Sequence, residues 1–209
     1  MAEPTIVDSF SSMSNEVRQI EHPSSETWIY KPKIKRNHHE FWKLVAKCWG
    51  RDLAQPCYNP PAMKHLLGFR PLTVIQALTT SAILVWVLEN DSKVSEGAKE
   101  LAVRLIDALS PLFEYFTDDW RGTDAPRHIE NAFKYALKIK ADLRLETETY
   151  EVLLYRPGTR FNEETMLLES RVQGRFVSLC VQPALLRLDD PLSDRRHTAL
   201  KAVVVLREA

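Results

Sequence analysis

Residues 71–88 read PLTVIQALTTSAILVWVL, eighteen consecutive positions without a charge in a chain of which 27% is charged. Such a run leaves water on folding, either into a bilayer or into the centre of a globule. A membrane-spanning helix needs about 20 predominantly apolar residues, and the length is close to that. The content argues the other way. Thr73, Gln76, Thr79, Thr80 and Ser81 are polar, and the dense aliphatic part is confined to Ile83 through Leu88. Glu89, Asn90 and Asp91 follow directly, where a spanning segment is commonly flanked by basic residues. The expectation is a buried core helix and no membrane span. Pro71 suits its first turn, where a missing N–H costs nothing. A helix apolar on nearly all sides is surrounded by others. Ile75, Leu78, Ala82, Val85 and Trp86 are therefore expected to be covered by helices starting near Asn37, Ser95 and Asp124.

Outward from that run the periodicity is helical. Asn37 followed by Glu40 has the form of a capping box. His38, Phe41, Trp42, Val45 and Trp49 then recur at helical spacing, and Gly50 supplies a stop. After the loop QPCYNPP a short helix is expected from Pro60 or Pro61 to Leu67, closed by Gly68. Ser92 or Ser95 caps the next helix, with Val94, Ala98, Leu101, Leu105 and Leu109 as its stripe and Pro111 as its interruption. Phe113, Tyr115 and Phe116 carry it one turn further, and TDDWRGTD reads as a loop. Asp124 then caps an amphipathic helix to about Leu145, marked by Ile129, Phe133, Ala136, Leu137 and Leu143.

Beyond residue 145 the period changes to two. In RFVSLCVQ (175–182), Val177, Leu179 and Val181 alternate with Phe176, Ser178 and Cys180, and ALKAVVVL (199–206) is compact and β-branched. These two read as an antiparallel pair, separated by the charged LDDPLSDRRH. VLLY (152–155) reads as a third strand or a last helical segment. The expected fold is mainly α: a core of at least five helices with a small C-terminal antiparallel β-hairpin or short sheet packed on it. Residues 1–36, with two serine clusters and no sustained periodicity, read as a mobile N-terminal arm. Residues 37–209 read as a single helical domain whose β-appendix begins near 150.

Lysine plus arginine equals aspartate plus glutamate at 28 each, so the net charge is zero and no global field selects nucleic acid or an acidic membrane. Three cysteines, Cys48, Cys57 and Cys180, form no CxxC pair. With an acidic, serine-rich start lacking an apolar signal core, they read as reduced thiols of an intracellular protein. The six histidines lack ligand spacing: His38 and His39 are adjacent, and the others have no partner at i+3 or i+4 among His, Cys or paired carboxylates. Cys48 lies near a helix C-terminus, the unfavourable end for a thiolate. Asp118–Asp119 and Asp189–Asp190 sit beside arginines and read as solvated loop charges. No GxSxG, HExxH or phosphate-cradling glycine pattern occurs. No catalytic residue, cofactor or metal is expected.

One stretch has the composition of a contact surface. Lys31, Lys33, Lys35 and Arg36 fall within six residues, with Trp28 and Tyr30 just before them. A basic segment with aromatics suits weak, salt-sensitive contact with phosphate backbones, or it is simply a basic lead into the first core helix. In the C-terminal half, Tyr150, Pro157-Gly158, Phe161-Asn162, Met166 and the strand ending Val181 to Leu185 resemble the tail of uncharacterised helical proteins of filamentous fungi. Those carry a helical region, a Pro-Gly-x-x-Phe-Asp-x-x-x-Met turn and a closing pair of strands. That resemblance implies a fold and no activity. The Pro183-Ala184 step is also similar to one in the β-domain of GrpE-type nucleotide exchange factors. Glu163 stands where that family has a turn proline, and a long acidic dimerising helix is lacking, so its function is not carried over.

The leading expectation is a non-enzymatic, intracellular protein-interaction domain. Trp28, Tyr30, Trp42, Trp49 and Trp120 are its candidate anchors, since tryptophans often carry interface energy, and Lys33, Lys35 and Arg36 are its candidate charges. The first alternative is a nucleic-acid-associated protein using residues 31–39. The second is an enzyme with a site assembled from scattered residues such as Cys57 and His65.

Overall fold

The computed structural model describes residues 5–20, 34–50, 64–90, 94–112, 123–145, 148–169, 174–188 and 196–207. The helices are α1 (Ile6–Arg18), α2 (His39–Trp49), α3 (Pro71–Ile83), α4 (Ala98–Leu109) and α5 (Ala125–Asp142). A helical turn over residues 64–66 precedes α3. A π-helical segment, Leu84–Leu88, prolongs α3, and a 3₁₀ turn, Ser110–Leu112, follows α4 at Pro111.

The uncharged run is the centre of the molecule. Of its eighteen residues, 83% are buried within the structure. Ile75, Leu78 and Ala82 are fully enclosed and Trp86 nearly so, while Val85 is half-buried. Helix α3 touches each of the other four helices and packs against the sheet. The polar residues that set it apart from a membrane span all find partners. Thr79 and Ser81 donate back to the carbonyls of Ile75 and Ala77 at 2.9 and 3.0 Å. Thr80 donates to the Val181 carbonyl at 2.7 Å, and Gln76 donates to the Arg18 carbonyl at 3.1 Å. Thr73 reaches the Glu169 carboxylate at 3.3 Å. Each polar atom thereby escapes the cost of unpaired burial.

The mobile arm expected over residues 1–36 does not hold for its first part. Thr5 opens α1 with a capping box: its hydroxyl accepts from the Asp8 N–H at 3.2 Å, and the Asp8 carboxylate accepts from the Thr5 N–H at 3.0 Å. The hydrogen bonds from Thr5 hold the Asp8 carboxyl below its ordinary range. Ile6, Phe10, Met13 and Val17, spaced four, three and four residues apart, are buried and form the face that meets α5 and α3. Interleaved serines mask this stripe in the sequence. Residues 21–33 lie outside the described residues.

Two caps also differ from expectation. Neither Asn37 nor His38 caps α2 with its side chain, and the chain turns at Gly50 in the left-handed region (φ 72°), where glycine carries no Cβ penalty. At α5 it is Thr123, not Asp124, whose hydroxyl accepts from the Ala125 N–H, at 3.2 Å.

The C-terminal part holds two three-stranded sheets rather than one hairpin, so the fold is mixed α/β. Strands β1 (Thr149–Leu153), β4 (Ala184–Leu188) and β5 (Arg196–Leu200) form the first, in the order β1-β4-β5. Strands β2 (Met166–Leu168), β6 (Ala202–Arg207) and β3 (Phe176–Gln182) form the second, in the order β2-β6-β3. The expected antiparallel pairing of β3 with β6 is present, and β2 joins β6 in parallel. The VLLY stretch enters strand β1, which pairs with β4.

The simple alternation read into 175–182 fails for a local reason. Register shifts occur between Val177 and Leu179 and between Cys180 and Gln182. A bulge adds a residue and re-aims the side chains that follow. Val177 and Cys180 therefore join a second, smaller core with Met166, Ala184, Leu186, Ala202, Val204 and Leu206, while Leu179 and Val181 join the helical core. Strand β3 is buried on both faces. The turn carrying Phe161 and Asn162 delivers Met166 to the second core: Asn162 Oδ1 accepts from the Glu164 N–H at 2.9 Å, and its carbonyl accepts from the Met166 N–H at 2.9 Å.

Candidate functional site

Arg104 is the residue around which the surface of the helical layer is organised. It lies on α4 between Leu101 and Leu105, whose side chains are buried, and its own side chain is 36% exposed. One terminal nitrogen donates to Glu96 at 2.9 Å and the other to Glu40 on α2 at 2.8 Å. Its guanidinium carbon stands 4.3 Å from the centroid of the Trp86 ring, a cation–π contact. Glu40 also accepts from Lys43 at 2.8 Å. Burial pushes the Glu40 carboxyl up, but the hydrogen bonds and charges of Lys43 and Arg104 outweigh it and leave the pKa lowered.

Trp86 stands in the π-helical segment, where the backbone changes pitch. In the π segment the Glu89 N–H bonds to the Leu84 carbonyl, five residues back, at 2.8 Å. A π turn inserts one residue and rotates the following side chains relative to a regular helix. The indole also stacks on Phe133 of α5, with centroids 6.2 Å apart and planes 9° from parallel.

Two concavities meet at Arg104. The larger, about 900 Å³, lies between the start of α2 and the length of α4. Phe41, Val103 and Ala108 are its apolar lining, and His38, His39, Lys99, Glu100, Asp107 and Ser110 are among its polar lining. Val103 is 51% exposed, a β-branched aliphatic on the wet side of an amphipathic helix. Glu100 and Asp107 stand one turn before and one turn after it. His38 Nδ1 is buried with no hydrogen-bond partner among the described residues. The smaller recess, about 320 Å³, lies on the Trp86 side.

Of the sequence-derived tryptophan anchors, Trp42 and Trp49 are among the described residues. Trp42 is not a surface anchor: it is 1% exposed, its Nε1–H donates to the Lys35 carbonyl at 2.9 Å, and Phe41 meets it edge to face at 5.2 Å. That bond ties the basic segment to the domain. Lys35 and Arg36 are exposed in the turn leading into α2, beside the Asn37 end of the groove. Trp49 is half-buried at the far end of α2, with the His65 ring 4.5 Å away. Trp28, Tyr30, Lys33 and Trp120 lie outside the described residues.

The described thiols and His65 are engaged in packing. Cys48 Sγ lies 2.9 Å from Ser81 Oγ and donates to the Ala77 carbonyl at 3.5 Å; burial pushes its pKa up to about 12. Cys180 donates to the Gln182 carbonyl at 3.1 Å and is likewise pushed up by burial to about 12. His65 Nε2–H donates to the Ser178 carbonyl at 2.7 Å, and its ring also meets Phe69 edge to face. Burial pulls its pKa down, with the Ser178 bond opposing. Cys57, the partner proposed for His65 from the sequence, lies outside the described residues, as do Asp118–Asp119 and Asp189–Asp190. Among the described residues no group of three or more His, Cys, Asp or Glu side chains is placed to hold a metal ion.

The sequence pattern places Trp86 in the core, gives Glu40 only the role of a capping-box partner, and assigns no role to Arg104 or Val103. One signal was available: Val103 falls off the Leu101–Leu105–Leu109 stripe, so an aliphatic side chain was bound for the solvent side. The meeting of Glu40 with Arg104, 64 residues apart, has no sequence signature. Compared with protein-family models, curated proteins and solved structures, the chain matches none.

Proposed function

We propose that this chain is a non-enzymatic, intracellular protein-interaction domain, and that the groove between α2 and α4 is its contact surface. The observation that carries the reading is Val103, half-exposed in a concavity of about 900 Å³ between two carboxylates, Glu100 and Asp107, that form no ion pair among the described residues. Arg104, which also lines the groove, is already held by Glu40 and Glu96. An aliphatic side chain flanked by carboxylates seven residues apart suits an amphipathic helix of a partner protein. Its apolar residue covers Val103 against Phe41 and Ala108, and two basic residues, also seven apart, meet Glu100 and Asp107. On an α-helix that spacing spans about 10.5 Å, the same on both partners. The engaged thiols and the neutral, packed His65 favour a binding role over nucleophilic chemistry at these groups.

Two fluorescently labelled helical peptides test this, alike in their apolar face but with basic or acidic flanks. The basic peptide is expected to bind with saturable anisotropy and the acidic one to fail. Glu100→Lys with Asp107→Lys should invert that preference, and Val103→Asp should abolish binding while leaving the circular dichroism spectrum unchanged. Equal binding of the two peptides, or binding indifferent to Val103→Asp, would remove the groove from the argument.

A further inference from the structure

Strand β3 opens on an aromatic residue that serves neither core. Among the described residues, Phe176 is half-buried but packs in neither the helical nor the second core, and no aromatic ring meets it. An arginine stands on each side of it. Arg160 bridges to Phe176 across one edge of β3, and Arg207 of β6 is its register partner across the other. Residues directly opposed in antiparallel strands carry their side chains on one face, so the three form a row with the ring in the middle. Both arginines are exposed, and neither side chain forms an ion pair or hydrogen bond among the described residues.

The strand pattern settles which face carries the row. Phe161, Val177 and Leu206, each next in sequence to one of the three, belong to the second core, and side chains alternate along a strand. The row therefore faces the other way. Val205, two residues before Arg207 and on its face, lies in the helical core, so the row ends the helix-facing side of the sheet where the helices no longer cover it. The chain has no net charge, so attraction here is local. Arg175, exposed beside Phe176, adds a positive charge. Glu169, on the far side of β6, accepts from Thr73 and is faced by Arg70 and Arg18. Glu163 and Glu164 follow Arg160 in sequence, but the Glu163 carbonyl accepts from Lys201, which precedes β6 where Arg207 ends it. Arg171 and Glu208, of opposite sign, lie outside the described residues.

We infer that this row binds single-stranded nucleic acid. One base lies on the Phe176 ring, and the phosphates on either side of it meet the guanidinium groups of Arg160 and Arg207. Adjacent strands stand about 4.8 Å apart, so the two arginines are rooted about 10 Å apart with the ring between them. Stacking uses the flat face that every base has, so the contact is indifferent to base sequence. A duplex, whose bases already stack on one another, offers the ring nothing. The row shares no residue with the α2–α4 groove and needs no partner protein.

The probe is a fluorescently labelled, single-stranded oligothymidylate of about ten nucleotides, titrated with the full chain at several salt concentrations. Saturable anisotropy is expected. The corresponding duplex and inorganic polyphosphate, at equal phosphate concentration, should compete about tenfold more weakly than unlabelled single strand. Phe176→Leu keeps an apolar side chain but removes the flat ring, and should weaken binding about tenfold with the salt dependence unchanged. Arg160→Gln with Arg207→Gln should reduce the slope of log K against log salt by about 1.4, the counterions of two single-strand phosphates. Circular dichroism shows whether each variant folds, and if Phe176→Leu does not, the slope of the arginine pair decides alone. Absence of binding, Phe176→Leu binding like the wild type, polyphosphate competing as well as the single strand, or an unchanged slope in the arginine pair would each overturn the assignment.

Discussion

Leu78 shows what burial of a single residue does here. It sits in the middle of α3, fully enclosed, in an interior packed as closely as an organic crystal. Leu78→Ala removes apolar contact and leaves a void, at an expected cost of about 2 to 5 kcal/mol by denaturant unfolding. Leu78→Asp adds an unpaired charge to the same place, and the variant is expected to give no cooperative folding transition. A cooperative Leu78→Asp variant would show that α3 is not the core helix. Trp42 illustrates the converse. Its large apolar ring gave it the look of an interface anchor, but a ring that large, placed on the stripe of an amphipathic helix, is as well suited to the core. Its indole N–H found a carbonyl seven residues away, at Lys35, and a satisfied donor leaves nothing for a partner to recognise.

At the scale of elements, α1 and β3 both depart from what local pattern suggests. Helix α1 has a stripe, Ile6, Phe10, Met13 and Val17, and a complete capping box. Serine competes with the helical backbone for hydrogen bonds and so weakens intrinsic propensity. Burial against α5 and α3 overrides it, as tertiary packing commonly does for short helices. Phe10 is 1% exposed, and Phe10→Ala is expected to lower unfolding free energy by about 3 to 5 kcal/mol. A loosely attached arm would give no change in the same denaturant titration. Strand β3 departs through its bulges. A perfect alternation buries one face of a strand; two register shifts let Val177 and Cys180 serve one core and Leu179 and Val181 the other. Bulges leave no residue signature, so the two-core arrangement could not be read from RFVSLCVQ.

The whole molecule is held together at the seam between helices and sheets, where His65 is a fastener. Its ring meets Trp49 and Phe69 and its Nε2–H donates to Ser178 on β3. Burial lowers its folded-state pKa, so the unfolded chain takes up the proton first as the pH falls. The stabilisation is fully present above the unfolded value of about 6.5 and is lost as the pH falls through the folded value. The Tm is therefore expected to fall between about pH 7 and pH 5. His65→Gln, which keeps a donor but not the titration, should flatten that slope. The paired Glu40 carboxyl, with its lowered pKa, acts in a more acidic window: its contribution is present above its ordinary value and is lost as the pH falls through the folded one.

Residues 71–88 by themselves determined that the chain has a central buried helix, since eighteen uncharged residues have few places to go in a charged chain. Local pattern also supplied α2, α4, α5 and the β3–β6 pairing, because amphipathic period and β-branched composition are properties of contiguous residues. Only the tertiary structure decided the docking of α1, the division of the strands into two sheets, and the meeting of Glu40, Trp86, Glu96 and Arg104. Those arise from contacts across tens of residues, whose energies depend on which surfaces meet. The candidate site belongs to this second kind. Its donors and carboxylates are ordinary in sequence and acquire chemical meaning only where α2, α4 and the π turn converge.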